Sequence, residues 1–170
     1  MALWRDGAFV ADDWAFPRDD EAVASGGKAA IGKRRFLAER EALLGRGGAL
    51  GLALDSDENL AGLEGDLPRF ALVVLRFPKF SDGRGYSLAR RLRDVHGYAG
   101  ELRAAGEVLR DQLGFLRRAG FDSLEISDAR TVEALRQGAI VAVGRHYQPA
   151  SPRRAEPRPP GPGWRRTSPR

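Results

Sequence analysis

The feature that most constrains this fold is an apolar segment in the middle of the chain, FALVVLRF at residues 70–77. Its apolar residues do not alternate with polar ones, which indicates a strand buried on both faces, as in a parallel sheet covered by helices. A polar loop, a helix with Leu88, Leu92 and Val95 on one face, and a further strand at residues 101–105 follow it. This order predicts a βαβ unit.

Similar units flank this one. Further strands are predicted at residues 49–54, 124–127 and 139–143, and helices at residues 57–64, 88–95, 107–119 and 128–136. Helical connections of this length imply parallel strands with right-handed crossovers. We therefore expect an α/β fold with a mainly parallel sheet of about five strands, which the pattern leaves open as either an open sheet or a partial barrel.

The chain divides into three parts by pattern. Residues 1–32 predict a hairpin at 3–10, turning at Asp6-Gly7, and then a loop rich in Asp, Gly and Ala at 17–32. Residues 33–148 form the α/β core, which begins with a helix at 33–44. Residues 149–170 combine most of the ten prolines with many arginines, which predicts a disordered tail.

Composition excludes several classes of site. The chain has no cysteine and two histidines, which excludes disulfides and thiolate ligands and argues against a histidine-rich zinc site. No apolar run approaches the length of a membrane span, and the N-terminus lacks the apolar centre of a signal peptide. We expect a cytoplasmic protein without a membrane partner, and the sequence identifies no metal and no cofactor.

The net charge of +5 comes from the tail. Residues 151–170 contain six arginines and one glutamate, and subtracting them from the chain's 28 basic and 23 acidic residues leaves 22 of each in residues 1–150. A neutral body argues against a dedicated nucleic-acid interface, except through the tail.

A candidate binding site follows the central strand, because ligands of parallel α/β sheets bind at the carboxyl ends of strands. The loop at 77–87 has glycines that permit close backbone approach, and it ends at a helix start, with Ser87 as the expected N-cap. Lys79 and Arg84 add positive charge that suits an oxyanion. The alternative is that Asp82 and Arg84 pair with each other and only rigidify the loop.

A second charged strand end begins at Arg103 and runs through Glu107 to Asp111. Glu107 and Asp111 have the i, i+4 spacing that places both on one helix face, where they could hold Arg103 or Arg84 or could ligate a divalent metal. We favour the arginine partners, and we expect the two arginines to converge on one hollow. The candidate ligand-binding residues are Lys79, Asp82, Gly83, Arg84, Gly85, Tyr86, Ser87, Arg103, Gly106, Glu107, Arg110 and Asp111.

The segments FPKFSDGRGYSLARRLR at 77–93 and GELRAAGEVLRDQLGFLRRAGFDSLEI at 100–126 resemble the bacterial DUF934 family, over roughly residues 33–148. The biochemical function of that family is unknown. The resemblance implies that the protein is encoded beside assimilatory sulfite reductase and phosphoadenylylsulfate reductase. It also implies the usual label of a probable oxidoreductase of sulfite reduction. Glu107 stands where the family has aspartate, and Ala119 where cysteine is frequent, which argues against thiol chemistry at that position.

These observations lead to three hypotheses. The first is an accessory protein of sulfate and sulfite assimilation that binds an oxyanion or a sulfonucleotide-like ligand. The second is an oxidoreductase with a diffusible flavin or nicotinamide, although no dinucleotide-binding fingerprint is present. The third is a non-catalytic partner subunit of sulfite reductase or of a sulfonucleotide reductase. No catalytic residue is identified.

Overall fold

A computed structural model describes residues 1–79 and 81–138 of the chain. In this part of the chain, eight strands form one sheet in the order β2-β1-β8-β7-β6-β5-β4-β3. The strands are Ala2–Arg5 (β1), Ala8–Val10 (β2), Trp14–Ala15 (β3), Lys28–Gly32 (β4), Leu50–Asp55 (β5), Leu72–Phe77 (β6), Glu101–Gly106 (β7) and Ser123–Ile126 (β8). The predicted strand at 139–143 and the tail at 149–170 lie outside the described residues.

Parallel pairing joins β3 to β8 in chain order, which confirms the mainly parallel α/β prediction. The hairpin is also confirmed: β1 pairs antiparallel with both β2 and β8, and Asp6 adopts a φ of 51° in its turn. The expected number of about five strands is too small. Residues 28–32 were predicted as loop, yet they form β4, because Ala29, Ala30 and Ile31 are buried between neighbouring strands.

The sheet is curled into a half-barrel, which resolves the choice between open sheet and partial barrel. Its two outermost strands, β2 and β3, are joined by residues 11–13 alone. A flat sheet of eight strands would separate them by roughly 34 Å at the usual spacing. Because the short link can span only about 14 Å, the two edges must approach each other.

Helices α1 to α5 are Lys33–Ala38, Arg40–Leu44, Arg84–Arg90, Leu113–Ala119 and Ala129–Arg136. A π-helical turn, Arg91–Val95, extends α3, and 3-10 turns lie at Leu67–Arg69 and Arg110–Gln112. Asp128 caps α5 as predicted, since its carboxylate accepts a hydrogen bond from the backbone N–H of Thr131 at 2.7 Å. No helix in the described residues has the length and apolar character needed to cross a membrane.

Several helix boundaries differ from the prediction because local turns replace the expected periodic helix. The predicted helix at 33–44 is interrupted at Glu39, and residues 57–64 form turns rather than a helix. The predicted helix at 107–119 begins only at Leu113, because the positive φ of Gly106 and a 3-10 turn come first. Glu107 and Asp111 therefore do not share a helix face.

The two faces of the sheet pack differently. The outward face and the helices build the main core, to which Phe36, Leu92 and Leu116 contribute. The inward face carries a smaller apolar cluster with Ala53 and Val74, against which Trp14 packs. Small residues are needed here because the curl leaves little room. A Cβ at Gly51, for example, would lie 2.9 Å from the Trp14 ring.

Candidate functional site

A cavity of about 580 Å³ lies inside the curl, at the carboxyl ends of β5 to β7 and beside Glu125 near the end of β8. Its size is within the range typical of small-molecule sites. It is lined by Met1, Phe16, Asp55, Val74, Arg76, Phe77, Pro78, Ala105, Gly106 and Glu125. The location agrees with the rule that parallel sheets bind ligands at carboxyl ends.

Arg76 is the cationic side chain of this cavity lining. It lies near the end of β6, between its register partners Asp55 on β5 and Ala105 on β7. Among residues 1–79 and 81–138, its guanidinium forms no hydrogen bond and no ion pair within 4.0 Å. The one charged residue that interrupts the apolar run at 70–77 therefore faces the cavity without an ion-pair partner among the described residues.

Two carboxylates accompany Arg76. Asp55 ends β5, and its strand tip is fixed by hydrogen bonds from the backbone N–H of Asp55 to Glu58 at 2.8 Å and from that of Ser56 to the carbonyl of Arg76 at 3.1 Å. Glu125 lies on β8, where its register partner is Leu3 of the antiparallel hairpin. The cavity therefore presents charges of both signs above an apolar floor.

The loop at 77–87 is closed by an ion pair within itself. Arg84 donates from Nε and from one terminal nitrogen to the carboxylate of Asp82, at 3.0 and 2.8 Å, and its backbone N–H also donates to that carboxylate. Ser56 donates a further hydrogen bond to Asp82. These contacts lower the pKa of Asp82 and raise the pKa of Arg84. The alternative interpretation of this loop, a mutual pair that rigidifies a turn, matches this geometry.

Phe77 contacts both the loop after β6 and the loop after β7. Its ring lies edge-on to Tyr86 at 5.4 Å between centroids, and a Cβ at Gly85 would be 2.5 Å from it. Its carbonyl accepts a hydrogen bond from the backbone N–H of Glu107 at 3.0 Å, and a Cβ at Gly106 would be 2.3 Å from that oxygen. The glycines therefore permit close packing of protein against protein here.

Other residues predicted to bind a ligand lie around the contacts of Phe77. Burial, and to a smaller extent the negative charge of Asp111, raise the pKa of Tyr86. Ser87 is not an N-cap: α3 already begins at Arg84 after Gly83, because Asp82 accepts the hydrogen bond of the first turn. Lys79 and Arg110 are exposed at the same edge of the sheet.

Arg103 lies deeper in the half-barrel than expected. Its side chain is 1 % exposed, and it donates to Asp12 at 2.8 Å and to Glu101 at 3.1 and 3.3 Å. Glu101 also accepts from Arg5 and from Ser123. Neither Arg103 nor Arg84 lines the cavity, so the expected convergence of these two arginines on one hollow is not observed.

The residues that sequence reasoning missed are those whose proximity depends on the curl. Met1 and Phe16 belong to residues 1–32, which were predicted as a hairpin and a loop without site residues, and Asp55 was assigned to the cluster that starts the predicted helix at 57–64. Arg76 carried a usable signal, because it is the charged residue within a buried strand. Glu125 carried a weaker one, since it interrupts the apolar residues of β8.

The chain belongs to the family described as "Bacterial protein of unknown function (DUF934)", whose family model matches residues 51–158. The matched segment includes β5 to β8 and therefore most of the cavity lining. The comparisons with curated proteins and with solved structures found no significant match.

Proposed function

We propose that this DUF934 protein is an accessory protein of assimilatory sulfate and sulfite reduction that binds a sulfur oxyanion, free or as part of a sulfonucleotide-like ligand, in the cavity at the carboxyl ends of its strands. The observation that carries the binding proposal is the guanidinium of Arg76, which lines the cavity without an ion-pair partner among the described residues. The pathway rests on the family resemblance.

The chemistry of arginine supports this assignment. A guanidinium presents a planar set of donors that binds an oxyanion through two parallel hydrogen bonds. Such an interaction is stronger in a recess with apolar walls than in open water, because the local dielectric is lower. Val74, Ala105 and Phe16 supply such walls beside Arg76. Arg76 thus replaces Arg84 and Arg103 as the principal anion contact, and Lys79 follows Pro78 at the cavity edge.

Isothermal titration tests the proposal. Sulfate, sulfite, adenylyl sulfate and phosphoadenylyl sulfate would be titrated into the protein, with flavin mononucleotide and NADPH included to test the oxidoreductase alternative. We expect at least one sulfur anion to bind, and Arg76→Ala to weaken it at least tenfold, which corresponds to about 1.4 kcal/mol.

Arg69→Ala is the matched control, because Arg69 is exposed beyond the opposite end of β6. The control should bind as the wild type does. Absence of binding by every sulfur anion, or equal weakening by both variants, would contradict the proposal. Selective binding of the flavin or of NADPH would favour the oxidoreductase instead.

A second candidate, a non-catalytic partner subunit of sulfite reductase, is favoured by a different observation. Val95, at the end of the π-helical turn after α3, is 71 % exposed, and Phe115 on α4 is 65 % exposed. Apolar side chains in such positions suit a protein interface. Co-purification with sulfite reductase that is lost in a Val95→Ser/Phe115→Ser double variant, but retained in Arg76→Ala, would favour this candidate.

A further inference from the structure

We infer that the ligand of the Arg76 cavity is a zwitterion of the aminosulfonate class, which includes α-amino acids that carry a sulfonate. Its anionic sulfonate binds Arg76, and its ammonium group lies against the carboxylate of Glu125. This inference rests on the proposed function, because it names the kind of molecule that carries the sulfur oxyanion to the site.

The charges form a row across four neighbouring strands. Asp55 on β5, Arg76 on β6 and Ala105 on β7 are successive register partners. Glu125 on β8 follows Leu124, the register partner of Ala104, so it lies level with Ala105. Side chains at the same register position on neighbouring strands project from the same face of a sheet. From β5 to β8, this wall of the cavity therefore carries a carboxylate, a guanidinium, a methyl group and a second carboxylate.

The methyl group of Ala105 makes room for a ligand in this row. Ala105 separates Arg76 from Glu125 by two strand spacings, roughly 10 Å, and its short side chain lines the cavity between them. An ammonium group between them would contact Glu125 while a sulfonate on the same molecule contacts Arg76. Asp55 lies on the other side of Arg76, one strand spacing away, where its negative charge opposes a bare anion at Arg76.

A bare dianion fits this wall poorly. Sulfate would gain the attraction of Arg76 but would be repelled by Asp55 and Glu125, since like charges within a few ångströms oppose binding. A zwitterion can bind Arg76 through its sulfonate and Glu125 through its ammonium group, and its zero net charge reduces the repulsion by Asp55. The cavity volume of about 580 Å³ also exceeds the needs of an ion with five heavy atoms, and Met1, Phe16 and Val74 can cover a short carbon chain.

Taurine and isethionate provide a matched pair of probes, because they share an ethanesulfonate skeleton and differ only in an ammonium against a hydroxyl group. Both would be titrated by calorimetry at constant ionic strength, with cysteate, sulfate and adenylyl sulfate alongside. We expect taurine or cysteate to bind at least tenfold tighter than isethionate and sulfate. Arg76→Ala should abolish this binding.

The carboxylate variants test the polarity of the site. Glu125→Gln should weaken taurine or cysteate at least fivefold, because it removes the carboxylate that binds the ammonium group. Asp55→Asn should not weaken them, and both variants should strengthen sulfate, because each removes a repulsive charge. Asp20→Asn is the control, since Asp20 is an exposed carboxylate in the loop between β3 and β4. It should leave every affinity unchanged.

The remaining outcomes separate this inference from the proposed function. If sulfate or adenylyl sulfate binds through Arg76 as tightly as taurine and cysteate, and Asp55→Asn and Glu125→Gln do not alter it, the zwitterion inference is overturned while the oxyanion function stands. Equal binding of taurine and isethionate also overturns it. If no sulfur anion and no aminosulfonate binds, both fall.

Discussion

Two arginines on neighbouring strands of the same curled sheet differ in their burial and in their ion-pair partners. Arg103 on β7 points into the half-barrel, is almost completely buried, and binds Asp12 and Glu101. Arg76 on β6 lies further towards the carboxyl ends, lines a cavity, and has no ion-pair partner among the described residues. Their register positions, opposite Val74 and Ala105 respectively, differ by two residues along the strands.

The difference shows that the depth along the strand decides the role of the charge. In the deeper layer, a guanidinium without partners would carry a large desolvation cost, so the chain supplies two carboxylates and closes the network. Near the strand ends, water reaches the side chain, so a guanidinium without an ion-pair partner among the described residues is tolerated. The first arginine is held in a network of ion pairs, and the second is the one that we propose binds a ligand.

Replacing the deeper arginine should give the largest loss of stability. Arg103→Ala removes the buried partner of Asp12 and leaves Glu101 with Arg5 and Ser123 alone, so we expect the free energy of unfolding to fall by about 3–5 kcal/mol. Urea denaturation followed by circular dichroism measures this. Arg103→Met, which retains apolar volume, tests whether the loss comes from charge or from packing. A loss below about 1 kcal/mol in both variants would refute the closed network.

The contact between the β6 and β7 loops should rank second. Gly106→Ala places a Cβ against the carbonyl of Phe77 at a φ of +102°, so overpacking and backbone strain together should cost about 2–4 kcal/mol. Gly83→Ala is the control, because no atom lies within 4 Å of the position its new methyl group would take, and its φ is −71°. Equal denaturation midpoints for the two variants would contradict the stabilising contact between the β6 and β7 loops.

The ion pair of the exposed loop should contribute less and should depend on pH. Arg84 and Ser56 hold the pKa of Asp82 below its ordinary value, so its stabilising effect is complete above the unfolded pKa of about 3.9 and is lost as pH falls through the lower folded value. Wild type should melt higher than Asp82→Asn at pH 6, and the difference should shrink steadily below about pH 4. A difference independent of pH would exclude this carboxylate as its source.

The cavity arginine should have the smallest effect on stability. Arg76→Ala removes a side chain without an ion-pair partner among the described residues, so the free energy of unfolding should change by no more than about 0.5 kcal/mol. Urea denaturation in the absence of ligand provides the measurement. A large destabilisation would place Arg76 in the same structural class as Arg103 and would remove the contrast between the two layers.

The sequence predicted those features that depend on neighbours in the chain. The apolar run at 70–77 indicated a buried parallel strand, Asp6-Gly7 indicated the hairpin, and Asp128 indicated a helix start; each is present. Local hydrogen bonding, chain reversal and the period of apolar residues determine these features, and all three can be read from short segments.

The composition of the cavity was decided only by the tertiary structure. Met1 and Glu125 line the same cavity because β1 pairs with β8, and Arg76 is separated from the carboxylates that neutralise Arg103 because the strand register places them at different levels. The curl that turns one face of the sheet inward depends on the pairing of all eight strands and on the short link at 11–13. No short segment carries this information, since the closure is a property of the whole sheet.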